Sequence, residues 1–390
     1  MTPRSESEYE RPTKLAIITS HPIQYQAPLF RLLDKEVDLR VMFGYLPNAA
    51  EQARGFGGEF EWDIPLTSGY SWEVFGDNHG ALRSFPKIVA TGVRVAKRLA
   101  KFDAVALFGW HHPTMISALI ALQAVSVPCL FRGEDNLLTP RKPWRLLIHQ
   151  LLLQKFAGIL SIGKANQKYY NHLGFSSDKI FSCPYFSDTA RLAQECEKAR
   201  NARRHLRRKW SIPENATCFL FCGKLTTKKR PADFLRAGLK VPNSHLLLVG
   251  SGDLERTCKD KYGAPNVTFA GFLNQSDIAT AYAAADVLVL PSDAGETWGL
   301  VVNEAMGCGM PAIVSSMVGC GEDLIQEGQT GFTYPYANVE ALASKMHWFV
   351  ENRELIPQMG AKASALISGE YSVECAGEGI KLALSTIGNT

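Results

Sequence analysis

Apolar positions along the chain fall into short continuous runs, separated by longer stretches where they recur at helical spacing. In the first half the runs are KLAIIT (14–19), DLRVMFG (38–44), AVALFG (104–109), CLFRG (129–133) and ILSIG (159–163). In the second half they are TCFLFCG (217–223), HLLLVG (245–250), NVTFAG (266–271), DVLVLPS (286–292) and PAIVSS (311–316). Most runs are unbroken rather than alternating, the pattern of strands covered on both faces. Strand and helix alternate, and the alternation occurs twice. The pattern therefore predicts an α/β protein with two Rossmann-like, doubly wound domains. The charged stretch RLAQECEKARNARRHLRRKWSIPENA (191–216), closed by Pro213, reads as a helical linker. The expected division is 1–188 for the first domain and 189–370 for the second. A last helix in 371–390 is expected to cross back to the first domain. Ligands of open α/β sheets bind beyond the carboxyl ends of the strands. Two such domains facing one another form a cleft, so chemistry is expected in the strand-to-helix loops.

Composition narrows the reading. A chain of 390 residues is too long for one core, and 46% hydrophobic with 21% charged residues is the balance of a soluble globular protein. The formal charge is +4, from 42 Lys and Arg against 38 Asp and Glu. That is short of the polybasic signature of a nucleic-acid binder, and no nucleic acid is expected as a partner. Nine cysteines without a CxxC pair indicate neither a disulfide framework nor a zinc ribbon, and point to reduced thiols in the cytoplasm. The polar first twelve residues lack a signal-peptide core, and the apolar region 146–163 is broken by His149, Gln150, Gln154 and Lys155, making it a poor membrane span. With no DxD motif and no His or Cys ligand spacing, neither a metal nor another cofactor is expected.

The most informative loop follows DVLVLPS. GETWGLVVNEAMGCGMP (295–311) carries Glu296, seven residues, then Glu304 inside a helix that begins near Leu300. A helix N-terminus offers unpaired N–H groups and a positive dipole end, and so holds a phosphate. Gly299 lets a ligand approach the backbone. Carboxylates accept hydrogen bonds from hydroxyls, so the two glutamates suit the sugars of a nucleotide-diphosphate sugar. The plain alternative is two acids favoured by the dipole. A second loop, CGKLTTKKRP (222–231), places Lys224 and Lys229 after a strand end, where ammonium groups suit a diphosphate. Lys228 and Arg230 read as solvated.

These segments together resemble the donor-binding half of family 4 glycosyltransferases, the retaining enzymes of the GT-B fold. The likeness rests on PSDAGETWGLVVNEAMGCGMPAIVS, GKLTTKK, VGSGDLE (249–255), VTFAGFLNQSDIATAYAAADVLVLPS (267–292) and GEDLIQEGQTGF (321–332), and covers most of 214–370. It implies that Glu296 holds donor-sugar hydroxyls and Glu304 the ribose. Gly299, Leu300 and Val301 offer amides to the phosphates that Lys224 and Lys229 neutralise. Gly250, Gly252 and Phe272 border the base, with core packing the alternative for Phe272. Where the family usually has an arginine, this chain has Lys224, which keeps the charge without the bidentate fork.

The first half resembles a branch of that family with SHPIQY after the first strand, here TSHPIQYQAPLF (19–30), and shares WDIPLTSGY (62–70), FRGED (131–135) and SIGKANQKYY (161–170). His21, Gln24 and Tyr25 stand where many relatives have glycines. In FGWHHPTM (108–115), either His111 or His112 matches the family's histidine that reaches the donor sugar or its leaving phosphate. Arg132 is read either as a phosphate or acceptor ligand or as the partner of a salt bridge to Glu134.

The implied activity is retaining, metal-independent transfer of a sugar to a glycan, lipid-linked or small-molecule acceptor, in surface or extracellular glycan synthesis. Catalysis would come from leaving-group stabilisation and positioning. A nucleotide-sugar epimerase and a non-catalytic nucleotide- or glycan-binding protein are the alternatives. Two basic stretches, SFPKIVATGVRVAKRLAKF (84–102) and ARNARRHLRRK (199–209), suit an anionic membrane surface. The first suits a helix lying on its own sheet better, with its apolar stripe at Ile88, Val89, Val93, Ala96 and Leu99.

Overall fold

The computed structural model describes residues 12–52, 60–75, 85–110 and 113–388. The first sheet takes β1 (Lys14–Thr19), β2 (Asp38–Phe43), β3 (Trp72–Val74), β4 (Ala104–Phe108), β5 (Cys129–Arg132), β6 (Gly158–Ser161) and β7 (Ile180–Ser182), in the order β3-β2-β1-β4-β5-β6-β7. The second takes β8 (Thr217–Cys222), β9 (Ser244–Val249), β10 (Val267–Gly271), β11 (Val287–Leu290), β12 (Ala312–Ser315) and β13 (Gly331–Tyr334), in the order β10-β9-β8-β11-β12-β13. Neighbouring strands are parallel, with Ile17 opposite both Val41 and Ala106, for example. Both sheets carry helices on both faces, as the two-domain α/β reading expected. All ten apolar runs became strands. The three strands that the runs did not reveal, β3, β7 and β13, are short edge strands of three or four residues.

Each sheet reverses direction once. In the first the switch lies between β1 and β4; in the second it lies between β8 and β11. The loops after β8 and β11 thus flank one crevice, the place where open sheets bind ligands.

Alternation along β1 divides the first core. Leu15 and Ile17 pack towards helices Ala27–Leu33 and Val373–Gly388, while Ala16 and Ile18 face Val95, Leu99, Leu119 and Leu122. The final helix thus lies on the first sheet, burying Ala376, Ile380, Ala383 and Leu384 there.

Helix Phe85–Leu99 also lies on this sheet, but rotated from the expected stripe. Val95, Ala96 and Leu99 are buried, while Val89 and Val93 stay exposed. Gly92 sets this rotation: a Cβ there would lie 2.1 Å from Ser117 Oγ, so only glycine permits the contact with helix Pro113–Ala124.

Part of the basic stretch 199–209 is committed within the protein, while Arg204, Arg208 and Lys209 stay exposed. Arg203 and Arg207 turn inward onto the Asp286 carboxylate, at 2.7 and 3.2 Å. Arg207 also donates to the carbonyls of Ala284, Pro213 and Ala216, and Arg200 to that of Cys308. Guanidinium forks here satisfy strand-end and helix-end carbonyls.

Candidate active site in the interdomain cleft

Between β11 and helix Leu300–Gly307 the chain turns through Gly299, whose φ of 106° lies in the left-handed region. A Cβ at this position would lie 2.8 Å from Leu290 Cδ2, so the turn depends on glycine in both conformation and space. The first amides of the helix lack intrahelical partners, and Gly299, Leu300 and Val301 line the cleft. Trp298 braces the turn: its indole N–H donates to Asn303 Oδ1 at 2.7 Å, and Asn303 donates to the carbonyl of Tyr185 in the first domain at 3.0 Å.

The loop after β8 brings Lys224 and Lys229 to the same place. Lys229 Nζ forms an ion pair with the Glu296 carboxylate. Lys224 is partly buried; desolvation first, then the charges of Lys229 and Lys228, push its pKa below the ordinary lysine value. Lys224, Lys228 and Lys229 line the same cavity, a set of cations that suits a diphosphate.

Glu304 sits one helical turn in and accepts a hydrogen bond from the buried Tyr282 hydroxyl at 2.8 Å. Burial raises its pKa, opposed by the Tyr282 bond and by the charge of Arg191. Burial, and then the nearby Glu304, also push the Cys222 thiol up to about 12.

These groups line one cavity of about 460 Å³ between the domains. From the second domain it takes Lys224, Lys229, Gly250, Phe272, Glu296, Gly299, Leu300, Val301 and Glu304. From the first it takes Gln24, Trp62, Glu134 and Tyr185.

Four other sequence candidates stand off the cavity wall. Gly252 packs on the Leu225 backbone, where a Cβ would approach within 2.8 Å of its carbonyl oxygen. His21 bonds Ser20 Oγ through Nδ1 at 2.9 Å and lies against Tyr45; burial lowers its pKa. Tyr25 is hydrogen-bonded, hydroxyl to hydroxyl, with Tyr185 at 2.9 Å and so backs the wall. Arg132 is buried beneath aromatic rings, its Cζ 4.8 Å from the Tyr185 centroid and 5.3 Å from that of Phe108. His111 and His112 lie outside the described residues.

The residue of the FRGED segment that reaches the cleft is Glu134. It is not the salt-bridge partner of Arg132 that the plain reading supposed. Its carboxylate accepts from the Tyr185 hydroxyl and, across the domains, from Thr297 Oγ1 at 3.0 Å. Asp135 instead pairs with Arg141 at 2.6 Å. The available signal was position: Glu134 lies two residues beyond the end of β5, at the mouth of the crevice. Trp62 had no such local signal. Among the described residues, no group of three or more His, Cys, Asp or Glu side chains is arranged to hold a metal ion.

Residues 202–365 match the family described as glycosyl transferases group 1. The sulfoquinovosyl transferase SQD2 of Arabidopsis thaliana is 34% identical over 127 residues, which is 32% of this chain and 24% of that protein. The N-acetyl-alpha-D-glucosaminyl L-malate synthase of Bacillus anthracis is 28% identical over 176 residues, 43% of this chain and 45% of that protein. The matched stretch thus spans less than half the length of either curated relative. Over the whole fold, the crystal structure of Anabaena HepE in complex with UDP superposes with a TM-score of 0.75 at 18% identity, covering 96% of this chain and 100% of that one. The architecture is that of the GT-B fold, and the segment that bears Glu296 and Glu304 is the one that carries the group 1 glycosyl transferase match.

Proposed function

We propose that the protein is a retaining, metal-independent glycosyltransferase that moves a sugar from a nucleotide-diphosphate sugar to a glycan, lipid-linked or small-molecule acceptor in surface or extracellular glycan synthesis. The observation that carries the reading is convergence. Lys224, Lys229, Glu296, Glu304 and the start of helix Leu300–Gly307, contributed by two separate loops, line a single cavity. A diphosphate needs cations and amides; two sugars need hydroxyl acceptors. The similar HepE structure was determined in complex with UDP, which supports a nucleotide as ligand.

In the proposed mechanism the diphosphate displaces Glu296 from Lys229 and lies across the helix amides. Glu296 is then free to accept hydroxyls of the donor sugar, and Glu304, oriented by Tyr282, takes the ribose. As the sugar–phosphate bond breaks, negative charge grows on the leaving oxygen, where Lys229, Lys224 and the amides stabilise it. The acceptor hydroxyl approaches on the same face and gives its proton to the departing phosphate, so configuration is retained. Glu134 borders the space open to the acceptor and positions Thr297 through its hydrogen bond.

The acceptor side has one further feature. Helix Pro143–Leu153 buries only Leu153, and Trp144, Leu147, Ile148 and Leu151 are 45–56% exposed at i, i+3, i+4, i+7 spacing. Lys142, Arg145 and Lys155 flank this stripe, and residues 136–157 contain no acid. This pairing of apolar stripe and cations suits peripheral contact with anionic lipid, which would bring a lipid-linked acceptor to the cleft.

The test is incubation with UDP-, GDP- and ADP-sugars plus candidate acceptors, with the product's anomeric configuration read by NMR. Transfer with the donor's configuration supports the reading. Inverted product refutes retention, and conversion of donor without acceptor favours an epimerase.

A further inference from the structure

The WDIPLTSGY segment plays no part in the donor reading above, yet it is fastened to both domains. Residues 60–70 form no helix or strand. On the first domain, Arg31 donates to the carbonyls of Pro65 and Ser68, and Tyr70, whose hydroxyl donates to the Leu66 carbonyl within the segment, is buried in the first core. On the second domain, Asn274 Nδ2 donates to the Glu61 carbonyl at 2.7 Å. Ser276 donates to the Asp63 carboxylate through its backbone N–H at 3.1 Å and through its hydroxyl. Phe60 lies on Phe272 with ring centroids 4.3 Å apart. The segment is therefore a strap across the mouth of the cleft.

The cavity is lined by lysines, helix amides and Glu304, and also by an apolar set, Phe272, Leu273 and Ile278. Phe60 of the strap lies on Phe272 of that set. Uncharged side chains of this kind suit a planar heteroaromatic ring. Trp62 is the strap's contribution to the same cavity, held edge-on to Phe60 with centroids 5.0 Å apart.

We infer that Trp62 caps the nucleobase from the first domain, and that the Asp63–Ser276 contact is a latch fastening the strap over the bound nucleotide. The inference rests on the nucleotide-sugar reading of the cleft. A base-capping tryptophan adds affinity with little regard to base identity, because every base has a π-face. It would also make release of the nucleotide wait on opening of the latch. Asp63 and Ser276 come from different domains, so the latch closes only when the domains do.

The experiment compares wild type with Trp62→Ala and Trp62→Phe by calorimetric titration of UDP, GDP, ADP and inorganic pyrophosphate. For the nucleotide that wild type binds most tightly, Trp62→Ala should weaken affinity between about fivefold and a hundredfold. Trp62→Phe should recover most of the loss, and pyrophosphate affinity should stay within twofold. The same nucleotide affinity in Trp62→Ala and wild type overturns the strap proposal while leaving the donor reading intact. Equal losses for nucleotide and pyrophosphate also overturn it, since the effect would then be on the cleft as a whole. If wild type binds no nucleoside diphosphate, the donor reading fails and this inference fails with it. The latch is tested separately by stopped-flow displacement. Asp63→Ala and Ser276→Ala should each speed nucleotide release severalfold, and the double variant no more than either single one, because both remove one interaction. Unchanged release in both singles overturns the latch.

Discussion

Lys229 is the most informative residue to perturb, because its ion pair gives it two separable effects. Lys229→Met keeps most of the aliphatic stem and removes the charge. Its partner Glu296 then stays in a site where side-chain exposure is 11%, against 18% for the lysine. A fully exposed pair contributes at most about 1 kcal/mol. Stripping one partner from a fully buried pair costs about 3–5 kcal/mol. This pair lies between, so a loss of about 1–3 kcal/mol is expected, or roughly 2–10 °C in melting temperature for a domain of this size. Adding Glu296→Gln should restore most of that stability, since no lone charge remains. Activity should respond differently. Loss of one charge-stabilising donor lowers turnover by about 10²–10³, and the double variant should recover none of it. The assay is kcat/KM for sugar transfer beside thermal melts of the same preparations. Near-wild-type transfer by Lys229→Met would refute the leaving-group role. Recovery of activity in the double variant would show that Lys229 acts only by neutralising Glu296.

Three further outcomes are expected. Glu304 has a raised pKa in the folded protein, so its contribution to stability is fully present below the unfolded carboxylate value, about 4, and is lost as pH rises through the raised value. Glu304→Gln should therefore melt higher than wild type near neutral pH, with the gap closing towards pH of about 4, while nucleotide affinity falls roughly tenfold or more; melts across pH with parallel titrations check both. Gly250→Ala should destabilise by about 2–4 kcal/mol, because its φ is 125° and the new Cβ would lie 2.0 Å from the Gly223 carbonyl oxygen; urea titration measures it. Trp144→Ala with Leu147→Ser and Leu151→Ser should cut sedimentation with anionic vesicles at least severalfold and leave transfer to a soluble acceptor unchanged, and high salt should weaken the wild-type binding too.

The second domain was more legible in the sequence than the first, for a physical reason. Its cavity-lining lysines and Glu296 sit in two loops that directly follow strands, so local punctuation alone could bring Lys229 and Glu296 to one cleft. Glu304 followed from helical spacing. In the first domain the decisive contacts are non-local. Glu61 and Asp63, which flank Trp62, pair with a loop more than 200 residues away, and no periodicity in 60–70 reveals it. Arg132 and Glu134 show how two residues decide a role. Strand β5 turns Arg132 under the Tyr185 ring, whereas Glu134, just past its end, emerges in the cleft. Gly252 has a packing role that the sequence did not show, since its lack of a side chain lets the Leu225 backbone approach. The edge strands WEV, IFS and GFTY were missed because polar or small residues interrupt them and leave no continuous apolar run to read.

The most direct test of the central claim is a thermal-shift panel of UDP, GDP, ADP and their sugars on wild type, Lys229→Met and Glu304→Gln. A ligand that binds only the native state at about a hundred times its Kd adds roughly 2.7 kcal/mol, several degrees for this protein. At least one nucleotide should raise the wild-type melting temperature by that amount, with most of the rise lost in both variants. No rise with any nucleotide, or an equal rise in all three proteins, would contradict the assignment of this cleft.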